Sequence, residues 1–460
     1  MKNKLILFTC LSVVISVTGC KKFLDVTPKS SISETELFTS EEGFQQALTG
    51  IYSQMASSTL YGDNLSLGFV SAMAQNYNPA NSLFILKQTT ALNFTSAEVV
   101  NIGSVIWKNT YTAIAGVDNI LAQIDGKKEV FRMNNYNLIK GEALGLRAYL
   151  HFDLLRLFGE NYMTGAQKKA IPYRNTLEAA PKPPSTVDEV TNLLLADLAD
   201  AAELLKNADP IVNGDKTRKS YMNFMAVKGL EARVYMYKGD KVKAAAAAGE
   251  VVNSNKFAFV TNAQISASGI NRDRLFSNEL VFTLQVKNLT DWTETGLGYF
   301  KAAGDVRNDL TRSAANFNTL YETSSGGSTD YRYVYLLEND GTVQFPSKYW
   351  GMKNVPLIRL SEMYYILAES ATTTDAGVGY LNMVRKNRGL SELPADVNEA
   401  KLATEITKEY QKEFLAEGQL FYYYKRLRVS KMLFNTKALT DANYILPIPD
   451  SELEFNPTYK

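Results

Sequence analysis

The chain has 460 residues, 45% of them hydrophobic and 21% charged, with a formal charge of +1. That is the composition of a folded globular protein too long for one small core, and so small a charge gives no electrostatic case for nucleic acid or an anionic membrane surface. One histidine and two cysteines leave little for metal or thiol chemistry, so no metal, cofactor or nucleic-acid partner is expected.

Lys2 and Lys4 precede an apolar run, Leu5 to Val17, that has the length of a signal-peptide core and is too short to span a bilayer. Val17-Thr18-Gly19-Cys20 closes the run with small residues before a cysteine and resembles a bacterial lipobox. The alternative is an ordinary secretory signal with an incidental cysteine. The lipobox reading makes 1–19 a signal peptide, cut before Cys20, with acyl chains on Cys20. Two or more chains anchor stably where one does not, at roughly 0.8 kcal/mol per buried CH₂. Cys10 is then removed, and loss of Lys2 and Lys4 takes the formal charge from +1 to −1. Residues 20–33, with Pro28 and several Ser and Thr, read as an extended lipidated tether.

Ser40 is placed to cap a helix opening with Glu41-Glu42, whose apolar stripe is Phe44, Ala47, Leu48, Ile51 and Met55. Helices are expected over roughly 105–124, 134–158, 221–238, 242–253, 356–371, 377–388 and 402–425. The stretch from Ser185 is the most regular. Val187, Val190, Leu194, Leu198, Ala201 and Leu205 fall on one helical face behind a Thr186/Glu189 capping box. Around Leu144 to Phe158 the pattern is apolar nearly all round, which belongs inside a packed layer. Two stretches read as helix, tight turn, helix, one of them turning at Lys238-Gly239-Asp240. They resemble degenerate tetratricopeptide repeats, whose pairs must stack to bury their apolar faces. Between 256 and 351 the character changes to a strand-like "NELVFTLQV", a Gly/Ser loop and an alternating Tyr331, Tyr333, Tyr335 run.

Capture of a sugar needs exposed flat aromatic faces with amides or charged groups nearby for hydroxyls. Trp292 and Tyr299, in the polar stretch "NLTDWTETGLGYF", are the first candidates. Tyr331 and Tyr333 read either as a ligand-facing pair or as one face of a hairpin. Trp350 reads equally as packing or binding, and Trp107, among apolar helical neighbours, reads as core. Tyr61 to Pro79 is a further irregular stretch able to line a site. His151 lies in the apolar helix and reads as structural, because one histidine builds no metal site. No phosphate loop or Gly-x-Ser-x-Gly elbow is present, and no catalytic carboxylate pair stands out.

Taken in order, "KKFLDVTPKS", "SEEGFQQALTGIYSQM", "WKNTYTAIAGVDNIL", "KGEALGLRAYLHFDLLRLFGE", "PLIRLSEMYYILAES" and "YILPIPDSELEFNP" resemble the SusD/RagB family of surface lipoproteins. The resemblance implies a mainly α fold: a tetratricopeptide-like scaffold over about 34–255 and 352–430, with an irregular, partly β ligand-binding lobe over about 256–351. It implies a non-enzymatic nutrient-binding protein anchored to outer-membrane lipid through Cys20 and facing outward. The implied partner is a SusC-like TonB-dependent transporter, over which the protein acts as a lid. The usual cargo is an oligosaccharide; some members take peptides. A surface glycosidase and a repeat scaffold without small ligand are the competing readings. Asp330 and Arg332 match a family Asp-x-Arg that fixes a loop or serves the ligand. In "EGQLFYYYKR", Leu420 and Tyr423 stand where the family often has an arginine and an aspartate. Joint loss of an ion pair is neutral when the space is refilled.

Overall fold

The computed structural model describes residues 34–77, 86–293, 313–339, 344–394 and 396–459. The signal segment, Cys20, the tether and Tyr299 lie outside these residues, as do the side chains of Glu34, Thr35, Trp292 and Asn339. Among the described residues no helix is long and apolar enough to cross a membrane.

The fold is mainly helical, and local chemistry sets where its helices begin. In α1 (Glu41–Met55) the Ser40 side chain accepts from the Gly43 amide at 3.2 Å, as its position suggested. The second helix, α2 (Ala97–Ile124), starts eight residues earlier than expected, because Ser96 caps it and Glu98 sits in its positive first turn. Every residue of α3 (Asn135–Phe158) from Gly141 onward is buried, between α2 and α4 (Val187–Leu205). Gly141 and Gly145 allow that approach: a Cβ on either would lie 2.6 Å from Leu205 or Met222. The Thr186/Glu189 capping box is formed at the head of α4. Next, α5 (Phe224–Lys238) and α6 (Lys241–Asn253) make a helix pair, turned by left-handed Gly239 (φ 79°) and an Asp240 cap.

After α6 come β1 (Leu280–Gln285), α7 (Leu289–Thr293), α8 (Ala314–Tyr321), α9 (Tyr331–Leu336), β2 (Leu337–Asn339), β3 (Gln344–Pro346) and β4 (Asn354–Arg359). The helical part resumes with α10 (Leu360–Ser370), α11 (Thr374–Lys386), α12 (Glu399–Glu413) and α13 (Gln419–Leu427), and ends on α14 (Asp450–Phe455). β1 pairs antiparallel with β4, with Gln285 opposite Asn354, and β2 pairs with β3. Here three expectations change. The helix expected from Pro356 is strand up to Arg359, since Val355, Pro356 and Ile358 have the edge of β1 to pair with. The tyrosine run is a helical turn capped by Asp330, whose carboxylate accepts from the Arg332 amide at 2.9 Å. The single helix expected over 402–425 is broken at Ala416 (φ 59°) and Gly418 (φ 75°). Residues of the Tyr61–Tyr77 stretch wedge into that break: Asn76 accepts from the Ala416 amide and Ser71 from the Gly418 amide.

At the two departures from the family pattern the space is refilled. Leu420 is core, and Tyr423 stacks on Tyr410 with ring centroids 3.9 Å apart while its hydroxyl bonds Thr407 at 2.9 Å. One large apolar core runs through the helical part. The segments between α6 and β4 also own two small clusters, one around Val260, Ile265, Phe276 and Leu336, the other around Phe317, Leu320, Tyr321 and Leu415.

Candidate functional site

The fold sorts the aromatic candidates into two places. On α9 the side chains of Tyr331 and Tyr333 diverge. Tyr331 packs with Tyr335 on the Phe276 cluster, and Tyr333 meets Tyr321 with its hydroxyl donating to Asn318 at 2.9 Å. They are neither a pair nor a hairpin face. Asp330 and Arg332 are fully buried and hold each other, together with Glu409 and Glu413, at 2.7–2.9 Å. They fix the loop.

Trp292 and Trp350 come to the same end of the β1–β4 ladder. β1 ends at Gln285, and the chain runs through Lys287 and Asn288 into α7, which carries Trp292. β4 begins at Asn354 and is preceded by Trp350 to Lys353, with the Val286 amide donating to the Lys353 carbonyl at 2.7 Å. The ring of Trp350 is half-buried against Phe345, and its indole N–H has no hydrogen-bond partner among the described residues.

At this end opens a groove of about 620 Å³, walled by the end of α1, residues 217–221 and residues 284–288. Hydroxyls dominate it, Ser53, Ser57, Ser58 and Ser220 among them, with the amides of Gln285 and Asn288 and the amine of Lys287. Its exposed aromatic face is Tyr221, 40% accessible. Behind that ring stands a rigid support. The Arg218 guanidinium lies 4.6 Å from the Tyr221 centroid, and Tyr52 meets the ring edge-on at 5.5 Å. Arg218 is itself clamped by Glu142 at 2.5 Å and Asp209 at 3.1 Å, while Tyr52 donates to Glu142 and accepts from the Met222 amide, both at 2.8 Å. Burial, reinforced by the Glu142 charge, pushes the Tyr52 phenol well above its ordinary range, so it stays a neutral donor. The arrangement presents one preorganised ring beside many small donors and acceptors. That suits a polyhydroxylated ligand with an apolar C–H face.

A second concavity, about 790 Å³, lies between α2, residues 172–179 and α14. Trp107 is in its floor, buried against Phe158 and Tyr111 as a core residue. Its rim is apolar, with Val105, Leu177 and a 72% exposed Phe455. Nearby, His151 is wholly buried. It donates from Nδ1 to the Arg147 carbonyl at 2.9 Å, accepts at Nε2 from the Arg174 amide at 2.9 Å, and stacks on Tyr173. Burial lowers its pKa to about 3, so it is a neutral structural histidine. Among the described residues no group of side chains could hold a metal ion.

Two family models match in tandem. One, described as starch-binding and associating with the outer membrane, covers residues 22–236; the other, the SusD family, covers 215–443. The chain belongs to the SusD/RagB family. SusD-like protein P2 of Formosa agariphila is 24% identical to it over 97% of both chains. A SusD superfamily protein from Bacteroides fragilis superposes with a TM-score of 0.73 at 22% identity, over 92% of this chain and 99% of its own. A SusD-like carbohydrate binding protein from Bacteroides vulgatus does so with a TM-score of 0.72 at 18% identity, over 91% and 97%. Those solved structures speak for the SusD fold, which carries the tetratricopeptide-like helix pairs read in the sequence.

Sequence reasoning missed Tyr52, Tyr221 and Gln285. Tyr221 carried a faint signal, an aromatic in the polar "KTRKSYMN" just before the Asn223 helix cap. Tyr52 carried none, since on the α1 stripe it looks like any core residue.

Proposed function

We propose that this SusD/RagB member is a non-catalytic, lipid-anchored binding protein of the outer membrane that captures an oligosaccharide in the groove at the end of β1–β4. It then delivers the ligand to a SusC-like TonB-dependent transporter, for which it serves as the lid. The observation that carries the reading is the Tyr221 platform, fixed by Arg218 and Tyr52 above a wall of hydroxyls and amides. Trp292 and Trp350, at the same end of the ladder, are the aromatics expected to extend it. Tyr299, Tyr331 and Tyr333 stay proposals of lower rank, since the last two turn into separate clusters.

Calorimetry with a glycan panel and a peptide pool tests it. Heat from a glycan, with affinity falling at least about fivefold in Tyr221→Ala, is the expected result, one stacked ring being worth about 1 kcal/mol or more. Heat from peptides alone, or unchanged glycan binding in the variant, overturns it. Glycan hydrolysis by the purified protein, abolished by changing one carboxylate, overturns the non-enzymatic part. Mass spectrometry of the mature amino terminus tests acylation of Cys20. Mild detergent extraction through a tag tests the partner, and recovery without a large β-barrel overturns that claim.

A further inference from the structure

A cavity of about 40 Å³ lies inside the helical part where α3, α5, α10, α12 and α13 meet. Three guanidiniums line it, those of Arg156, Arg233 and Arg426. Each already holds a carboxylate. Arg156 pairs with Asp153, Arg233 grips Glu362 at 2.6 and 2.7 Å, and Arg426 grips Glu369 at 2.6 and 2.7 Å. Among the described residues, three polar groups of the lining remain without a hydrogen-bond partner: Nε of Arg156, Nη1 of Arg233 and the Tyr422 hydroxyl. Arg156 and Arg233 are only 4% and 6% exposed. The Tyr149 hydroxyl lies in the field of both guanidiniums.

All three spare groups can donate. Guanidinium N–H groups only donate. The nearest acceptors of the lining each already hold a donor, both oxygens of Glu362 from Arg233 and the Gln419 amide oxygen from Arg156 at 3.1 Å. A water needs acceptors for its own two protons, and here it would have to share those oxygens or turn to the Tyr422 hydroxyl. An anion needs none. The volume holds a few water-sized particles at about 10–15 Å³ each, and so one monatomic anion. We propose that this cavity binds a halide of the chloride class, held by Arg156 Nε, Arg233 Nη1 and the Tyr422 hydroxyl, and that the ion ties α13 to α3 and α5. The proposal stands apart from the glycan groove and does not depend on it.

Crystals of the purified protein grown in sodium bromide test it directly. An anomalous bromine peak in the cavity, in contact with the three groups, is expected. Bromine peaks confined to the surface, or density for water alone in the cavity, overturn it. In solution, the melting temperature in sodium chloride should exceed that in sodium gluconate of equal ionic strength by about 3 °C. Tyr422→Phe, with unchanged far-UV circular dichroism, should lose at least half of that increment. No halide-dependent rise in the wild type, or an equal rise in the variant, also overturns the proposal.

Discussion

The helical scaffold and the lobe between α6 and β4 are held by different forces. In the scaffold, α3 is buried over eighteen consecutive residues, Gly141 to Phe158, and its neighbours close on it through apolar contacts. The lobe joins the main core through β1, with Val281, Phe282 and Leu284, but its outer part around α9 has only small clusters and is tied to α12 by ion pairs. Glu413 at the end of α12 accepts from Arg332 at 2.8 Å, from Arg359 at 2.5 Å and from Arg388 at 2.6 and 3.0 Å. Arg332 comes from the lobe, and Arg388 reaches on to Glu279 just before β1 at 2.7 and 2.9 Å. The α9 segment, which has only small apolar clusters of its own, is oriented by directional bonds to a rigid base.

The comparison breaks most sharply at Glu413. Glu413→Gln keeps the volume and removes the charge three buried guanidiniums share, and it is expected to cost about 3–5 kcal/mol in denaturant unfolding. Leu150→Ala, in the middle of α3, is expected to cost a similar amount, about 2–5 kcal/mol, by cavity formation. The two differ in where the structure opens. Amide exchange should rise first over residues 327–337 in the Glu413 variant and globally in the Leu150 variant. Global opening in both would show that lobe and scaffold are one cooperative unit.

Acid should separate the regions next. Burial alone would raise the Glu409 and Glu413 carboxyls, but Arg332, Lys412 and Arg385 outweigh it at Glu409 and hold it down to about 2. At Glu413, Arg388, Arg359 and Arg332 hold it well below its ordinary value. Both therefore contribute stability that is present above the ordinary value of 4.5 and is lost as pH falls toward 2. Glu279, raised by burial, works the other way, and does so above 4.5. In the scaffold, His151 contributes stability that is present above its ordinary 6.5 and fades as pH falls to about 3. Exchange measured from pH 7 to 3 should show His151→Gln flattening the slope between 6.5 and 4.5, with lobe opening confined to below 4.5. Lobe opening already at pH 6 would contradict the assignment.

The same division explains what was legible beforehand. The scaffold helices declare themselves by period and caps: Ser40, Thr186 with Glu189, and Gly239 with Asp240 each end a helix within a few residues of their own position. The strand at 354–359 and the break at Ala416 and Gly418 were not legible. Each depends on a partner distant in sequence, β1 for the one and Ser71 with Asn76 for the other. The groove was legible in part. Trp292 and Trp350 drew attention as aromatics in polar surroundings, but only the β1–β4 register places them at one end. Tyr221 becomes a platform only because Arg218, Glu142 and Tyr52 converge behind it from three helical segments.

A scaffold charge held by carbonyl oxygens should titrate differently from the paired ones. Lys425 on α13 donates to the carbonyls of Arg156 and Gly159 at 2.7 and 2.6 Å, at the end of α3. Burial, helped by the nearby Arg156 charge, lowers its pKa from 10.5 to about 7. Between those values the unfolded chain carries a proton the folded chain lacks, so stability rises with pH across that window. Melting at pH 9 should exceed melting at pH 7, and Lys425→Met should remove the increment whatever it does to absolute stability.

The smallest effect is expected from Tyr423→Phe, at a position where the family resemblance would have an aspartate. Tyr423 contributes a stacked ring and a hydroxyl bonded to Thr407. If the refilled space is held by the ring, Tyr423→Phe costs only the net value of one hydrogen bond, about 0.5–1.5 kcal/mol. Tyr423→Ala, which also leaves a cavity against Tyr410, costs about 3–5 kcal/mol. A Phe variant as damaging as the Ala variant would mean the hydroxyl network, not stacking, took over from the lost charges. The scaffold would then depend on directional bonds at this point as much as the lobe does.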